Sequence, residues 1–242
     1  MPYPEGVNEI LPIPGFSDPF SSIVHLVGAV LFLLLCPRLI AAGKQSVGRL
    51  IALASFGLSA PLLLATSGVY HALPAGSDDR VLFQRLDHAA IFLLIAGTFT
   101  AGHAILFRGK WRGGPITMIW VIAAAGVVLK VFFFEHVSEG VGLIFYLGMG
   151  WIGVISGYRV WHLYGPPLFW PLAYGGLAYT AGAILEFCRW PTLVPGVVGP
   201  HELFHVCVLL GVGFHWLYVI RFADGKLDGL LHGEPRSDSL PA

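Results

Sequence analysis

The chain has 242 residues and is 56% hydrophobic but only 12% charged, about half the charged share of a soluble domain. With a mean hydropathy of +0.75, that balance excludes an ordinary soluble globular domain and marks a membrane protein. Fourteen basic and fourteen acidic residues cancel, so no nucleic-acid partner is indicated.

The first twenty residues carry no Lys or Arg, and a Pro-rich polar stretch precedes the first long apolar run. That run therefore reads as a retained span, not as a secretory signal with a basic start. A bilayer-crossing helix needs about 20 apolar residues. Seven predicted spans meet this, over Ser22–Ala42, Leu50–Tyr70, Leu86–Phe107, Ile116–Phe134, Val141–Tyr158, Phe169–Phe187 and His201–Ile220. The connections are short. Their expected helix stops are Pro37 with Gly43, Pro74 with Gly76, Gly113-Gly114-Pro115, Pro166-Pro167, and Pro191 with Pro195. Lipid cannot satisfy backbone polar groups, so each span must be a helix or a barrel strand. These runs are too long and too uniformly apolar for barrel strands.

The expected fold is an all-α, seven-transmembrane-helix bundle over residues 22–220. A polar N-terminal segment covers 1–21 and a polar tail covers 221–242. Gly148, Gly150, Gly153 and Gly157 are expected to allow close helix contact. Cys36, Cys188 and Cys207 show no Cys-x-x-Cys spacing and read as buried small residues without a disulfide framework.

Seven spans put the two termini on opposite sides of the bilayer. By parity, His25, His71, Asp87, Glu135, His136, Glu186, His201 and His205 all fall at one end of the bundle. Only four of the fourteen basic residues share that end: Arg80, Arg85, Lys130 and Arg189. Ten of the fourteen acids do, all but Asp224, Asp228, Glu234 and Asp238. One face is acidic and histidine-rich, which suits a cation, and the other is basic. The positive-inside rule then predicts a cytoplasmic basic face and C terminus, with the site facing outward.

Pro200-His201-Glu202-Leu203-Phe204-His205 opens the last span. Its two imidazoles, four residues apart, share one helix face and can grip one metal ion. Ser67-Gly-Val-Tyr-His71 and Arg85-Leu86-Asp87-His88 lie at the same depth by parity. Ionisable groups in apolar spans are costly and mark function. His71, His201 and His205 with Asp87 give three imidazoles and one carboxylate, the donor types of a catalytic zinc. Asp87 is expected to be either a ligand or the holder of a water. Ser67, one turn before His71, is expected to bond Asp87, that water or a reacting carbonyl oxygen. The alternative for each group is a helix-end residue that merely meets headgroups and water.

Other residues fit the site less well. His88 is turned about 100° from Asp87 on a helix. His215, fourteen residues past His201, lies about 21 Å deeper. His25 has no partner spacing. Glu135 and Glu186 are expected to contact water or Arg189, and Glu202 to favour the positive end of its helix.

Taken together, these stretches resemble the progestin and adipoQ receptor family, in particular its bacterial hemolysin III branch. The resemblance spans about Asp18 to Ile220. It is carried by Ser67-Gly-Val-Tyr-His71, Arg85-Leu86-Asp87-His88-Ala89-Ala90-Ile91, Gly97-Thr98-Phe99-Thr100, Tyr179-Thr180-Ala181-Gly182-Ala183 and His201-Glu202-Leu203-Phe204-His205. It implies a seven-helix fold in a bacterial inner membrane and zinc held by His71, His201 and His205. Asp87 is then the water-holding acid, with Ser67 beside it. It further implies kinship with membrane hydrolases that include alkaline ceramidases, so a membrane lipid is the expected substrate. A receptor-like sensor with structural zinc and a hemolysin-type pore-former are the alternatives. No protein partner is indicated. The family often has Glu and Asn before the first-helix His, where Asp18 and Ser21 stand here. Its receptors place the N terminus inside, opposite to the charge count.

Overall fold

In the computed structural model, residues 10–227 are described, and the expected termini beyond them lie outside the described residues. The described chain is all-α. Its helices are α1 (Pro19–Gly43), α2 (Val47–Ala72), α3 (Asp78–Leu106), α4 (Lys110–Phe132), α5 (Glu139–Trp151), α6 (Gly153–Tyr164), α7 (Pro166–Cys188) and α8 (Pro200–Ala223). A single 3-10 turn, Phe134–His136, links α4 to α5. Among the described residues, seven segments are long and apolar enough to cross a membrane, with α5 and α6 together forming the fifth. Apolar side chains cover the outside: Leu34 and Phe132 are each 73% exposed, a placement that lipid rewards and water penalises.

Short connections make α1–α2, α2–α3, α3–α4 and α7–α8 packed neighbours, and α8 returns to touch α1, α2 and α3. One core, centred on Phe56, Leu53, Leu64, Val212, Val219 and Phe222, joins α1, α2, α3 and α8. A second, around Phe92, Phe99, Ile119 and Met149, fixes α4 and α5 on α3.

Several boundaries differ from those read in the sequence. α3 begins at Asp78, eight residues before Leu86, because Ser77 Oγ caps it by accepting from Arg80 N–H at 3.2 Å. Asp87 is thus in the interior of a helix, not at its start. Pro37 lies inside α1, and Gly113, Gly114 and Pro115 lie inside α4, so none of them is a stop. Pro115 has no N–H for the Trp111 carbonyl four residues back. His103 Nδ1 bonds that carbonyl instead, at 2.6 Å. Pro171 frees the Pro167 carbonyl in the same way, and the Arg221 guanidinium donates to it. The fifth span runs to Tyr164, six residues beyond Tyr158, and breaks at Ile152.

The expected close contacts at Gly148 and Gly150 are absent: a Cβ at either would meet nothing within 4 Å. At Gly153 and Gly157 the nearest atoms would be 3.4 Å and 3.6 Å away, ordinary contact. The tight approaches are elsewhere. A Cβ on Gly97 would sit 2.6 Å from the Ser55 carbonyl oxygen, where α3 crosses α2. No disulfide forms among Cys36, Cys188 and Cys207; Cys188 is exposed, because it is the last residue of α7, where the bundle no longer covers it.

Candidate metal centre

The last carbonyls of α2 have no partner within their own helix. The chain ahead of α1 supplies two. Asp18 N–H donates to the His71 carbonyl at 2.9 Å, and Ser17 N–H to that of Ala72 at 3.3 Å. This lays Asp18 across the end of α2. Its Oδ2 accepts from His71 Nδ1 at 2.8 Å and from Arg80 Nη2 at 2.7 Å. Burial pushes the Asp18 carboxyl up, but the His71 and Arg80 donors outweigh it and hold it below the usual carboxylate value.

At the start of α8, Pro200 occupies a position where a missing N–H costs nothing. Glu202 Oε2 accepts the Gly199 N–H at 2.9 Å, and its Oε1 accepts from Ser21 Oγ at 3.1 Å. Glu202 therefore closes the first turn of α8 and ties it to α1. His201 and His205 are set facing His71.

The three imidazoles meet through their Nε2 atoms. His205 Nε2 is 3.0 Å from His201 Nε2, which is 3.4 Å from His71 Nε2. The donor atoms of all three lie within 4.8 Å of one another. Each Nδ1 faces outward to another side chain. That of His71 meets Asp18; that of His201 is 3.4 Å from Glu186 Oε2; that of His205 is 3.0 Å from His25 Nε2. A carboxylate beside Nδ1 keeps the proton there and leaves Nε2 as a lone pair. On His71 and His201 these lone pairs point at each other, an arrangement that a cation between them satisfies. A tetrahedral ion with metal–nitrogen bonds of about 2.0–2.1 Å puts its ligand atoms about 3.3 Å apart. The His triad, with His71 and His205 buried and His201 half-buried, can hold a metal ion of the class that imidazole prefers.

The comparisons with known proteins agree with the architecture. The sequence matches the family described as haemolysin-III related over residues 16–216. The chain belongs to the haemolysin-III-related family. It is 31% identical to Hemolysin-3 of Bacillus cereus, over 84% of this chain and 90% of that protein. It is 28% identical to the Hemolysin-3 homolog of Bacillus subtilis (strain 168), over 79% and 87%. It is also 26% identical to progestin and adipoQ receptor-like protein 1 of Caenorhabditis elegans, over 90% of this chain and 57% of that one. The chain is thus an integral multi-pass membrane protein of the progestin and adipoQ receptor and hemolysin III group.

In this haemolysin-III-related chain, Asp87 is buried on α3 and its carboxylate stands outside the cluster of three donor atoms. It lines the same cavity as His201 and His205. Ser67, fully buried one turn before His71, lies beside the Asp87 carboxylate, although its Oγ reaches full hydrogen-bond geometry with no partner. His88 stands outside the triad but lines the same cavity: its Nδ1 is 2.8 Å from the Gln84 carbonyl oxygen and its ring abuts Phe134. Three residues around the triad carried no spacing signal: Asp18, His25 and Glu186. Parity had already put His25 and Glu186 at the correct end, and Asp18 precedes the first span there. None of them had a local mark of its partner.

The cavity has a volume of about 820 Å³ and a mostly apolar wall. Its lining includes Asp87 and His201 at one end and His103, Ser156 and Tyr218 toward the other. Asp87 and His103 are sixteen residues apart on α3, so the cavity extends along about 24 Å of helix.

Proposed function

We propose that this chain is a zinc-dependent hydrolase of an amide or ester bond in a membrane lipid, similar in chemistry to a ceramidase. One observation carries the reading: the Nε2 atoms of His71, His201 and His205 converge, and His201 and His205 line one end of a long apolar cavity. Three imidazoles leave a tetrahedral ion one open position. Zinc held there would supply a Lewis acid and lower the pKa of water to near neutrality.

The protein's own residues then have separate tasks. Asp18 and Glu186 hold the His71 and His201 rings with Nε2 inward. Asp87, close to the triad but not in it, orients a water, accepts its proton and returns the proton to the leaving amine or alcohol. Ser67, whose hydroxyl lies beside Asp87, donates to the oxygen on which charge develops. The cavity takes the acyl chain and excludes bulk water. Headgroup-depth chemistry lets the scissile bond arrive without extraction of the lipid from the bilayer. The mostly apolar wall of the cavity speaks against a pore, which needs a polar path from face to face. Following the charge count, the site faces outward and the basic face is cytoplasmic.

The test is hydrolysis of a panel of labelled ceramides and phospholipids by the purified, reconstituted chain with its metal measured. Wild type is expected to cleave at least one class. Asp87→Asn is expected to keep zinc while losing about 10²–10⁴ of the rate, the worth of a general base. Wild type that binds zinc but cleaves nothing would sink the hydrolase and put the sensor in its place.

A further inference from the structure

Halfway along the cavity two aromatic rings meet. His215 on α8 lies edge-to-face against Tyr179 on α7, with centroids 5.3 Å apart at 66°. Both line the cavity. His215 is 92% buried, with 8% of its surface exposed. Neither of its ring nitrogens has a hydrogen-bond partner, and the buried Tyr179 hydroxyl has none either. The Leu172 carbonyl approaches His215 without reaching hydrogen-bond geometry. Three unpaired polar atoms on adjoining rings are costly, more so near the middle of a bilayer.

The backbone is shaped to seat this pair. A Cβ on Gly175 would fall 2.3 Å from His215 Cδ2, and one on Gly211 would fall 2.4 Å from Tyr179 Cε1. Each helix offers a bare glycine to the ring of the other, and on each the glycine and the ring are one turn apart. Each ring therefore packs directly on the backbone of the facing helix.

Neutral imidazole offers one donor and one acceptor, and a phenol offers both. Together they match an alcohol, which also has one of each. They offer no fixed charge for an anion. His215 lies ten residues beyond His205, about 15 Å deeper, the reach of roughly ten to twelve methylenes. We propose that Tyr179 and His215 form a second polar subsite that binds an uncharged hydroxyl carried midway along the chain of a bound lipid. This rests on the reading of the cavity as an acyl-chain site, and it narrows the ligand class to chains hydroxylated about a dozen carbons from the head.

Binding, not turnover, tests it. Purified holoprotein in detergent is titrated with stearate and with stearate bearing a hydroxyl at mid-chain. Wild type is expected to bind the hydroxylated chain about tenfold more tightly, the worth of one well-made buried hydrogen bond. Tyr179→Phe, which keeps the ring, is expected to reduce that preference. Adding His215→Leu is expected to abolish it, with plain stearate bound no more weakly than by wild type as the measure of folding. Equal wild-type affinity for the two chains, or a preference that survives the double substitution, would overturn the subsite alone and leave water as the occupant. Failure of wild type to bind either chain would overturn the acyl-chain reading of the cavity with it. A preserved preference in a protein that hydrolyses nothing would support the subsite and count only against the hydrolase.

Discussion

Asp18 Oδ2 lies 2.8 Å from His71 Nδ1, although 53 residues separate the two. The contact turns an ordinary helix-end histidine into a metal-ligand candidate, because it fixes which ring nitrogen carries the proton. Asp18→Asn keeps the shape but loses the charge. Its metal affinity is expected to fall about 10–100-fold, the usual effect of removing an outer partner of a ligand histidine. Competition titration with a chromophoric chelator measures this. An unchanged affinity would remove Asp18 from the centre.

Metal analysis of purified protein is expected to give close to one zinc per chain. His201→Ala and His205→Ala are each expected to lose most of it and to melt at lower temperature, since ligand binding energy is also folding energy. His215→Ala is expected to keep its metal, because its ring lies about 15 Å deeper along α8 than His205. Equal metal loss in all three variants would refute the ligand assignment.

The glycines predict opposite outcomes at two positions. Gly97→Ala drives a Cβ to 2.6 Å from both the Ser55 carbonyl oxygen and Ser59 Oγ. Backbone there cannot yield cheaply, and a loss of about 1–3 kcal/mol is expected. Gly150→Ala meets nothing within 4 Å and should leave stability unchanged or raise it by up to about 1 kcal/mol. Thermal unfolding of the two variants in one detergent compares them directly.

Topology is testable by fusion. A reporter joined after Ala242 is expected to be active only in its cytoplasmic form, given the basic face of Arg38, Lys44, Arg108, Lys110 and Arg112. Activity of a periplasmic reporter at that position would reverse the orientation.

The number of spans and the meeting of His71 with His201 and His205 were legible because both follow from counting. Apolar length gives the spans, four-residue spacing gives a shared helix face, and parity gives a shared depth. Helix ends were less legible. α3 starts at its Ser77 cap and carries charged turns that hydropathy assigned to a loop. Pro37 and Pro115 read as stops because local rules count a missing N–H as a break. Tertiary partners satisfy one of the freed carbonyls, as His103 does for that of Trp111. Asp18, His25 and Glu186 were invisible in role for a different reason. Their partners lie on other helices, and no spacing rule reaches between segments that meet only in the folded bundle.

The triad draws His71 from the second span and both other ligands from the last. His71 and His201 are 130 residues apart. At about 5–20 residues per second, a ribosome takes about 6–26 s to make that stretch. Throughout that interval the growing chain offers one imidazole of the three. A metal that needs all three imidazoles can therefore be taken up only after the final helix is made. A chain arrested before that helix lacks two of the three imidazoles that distinguish a finished molecule from an abandoned one.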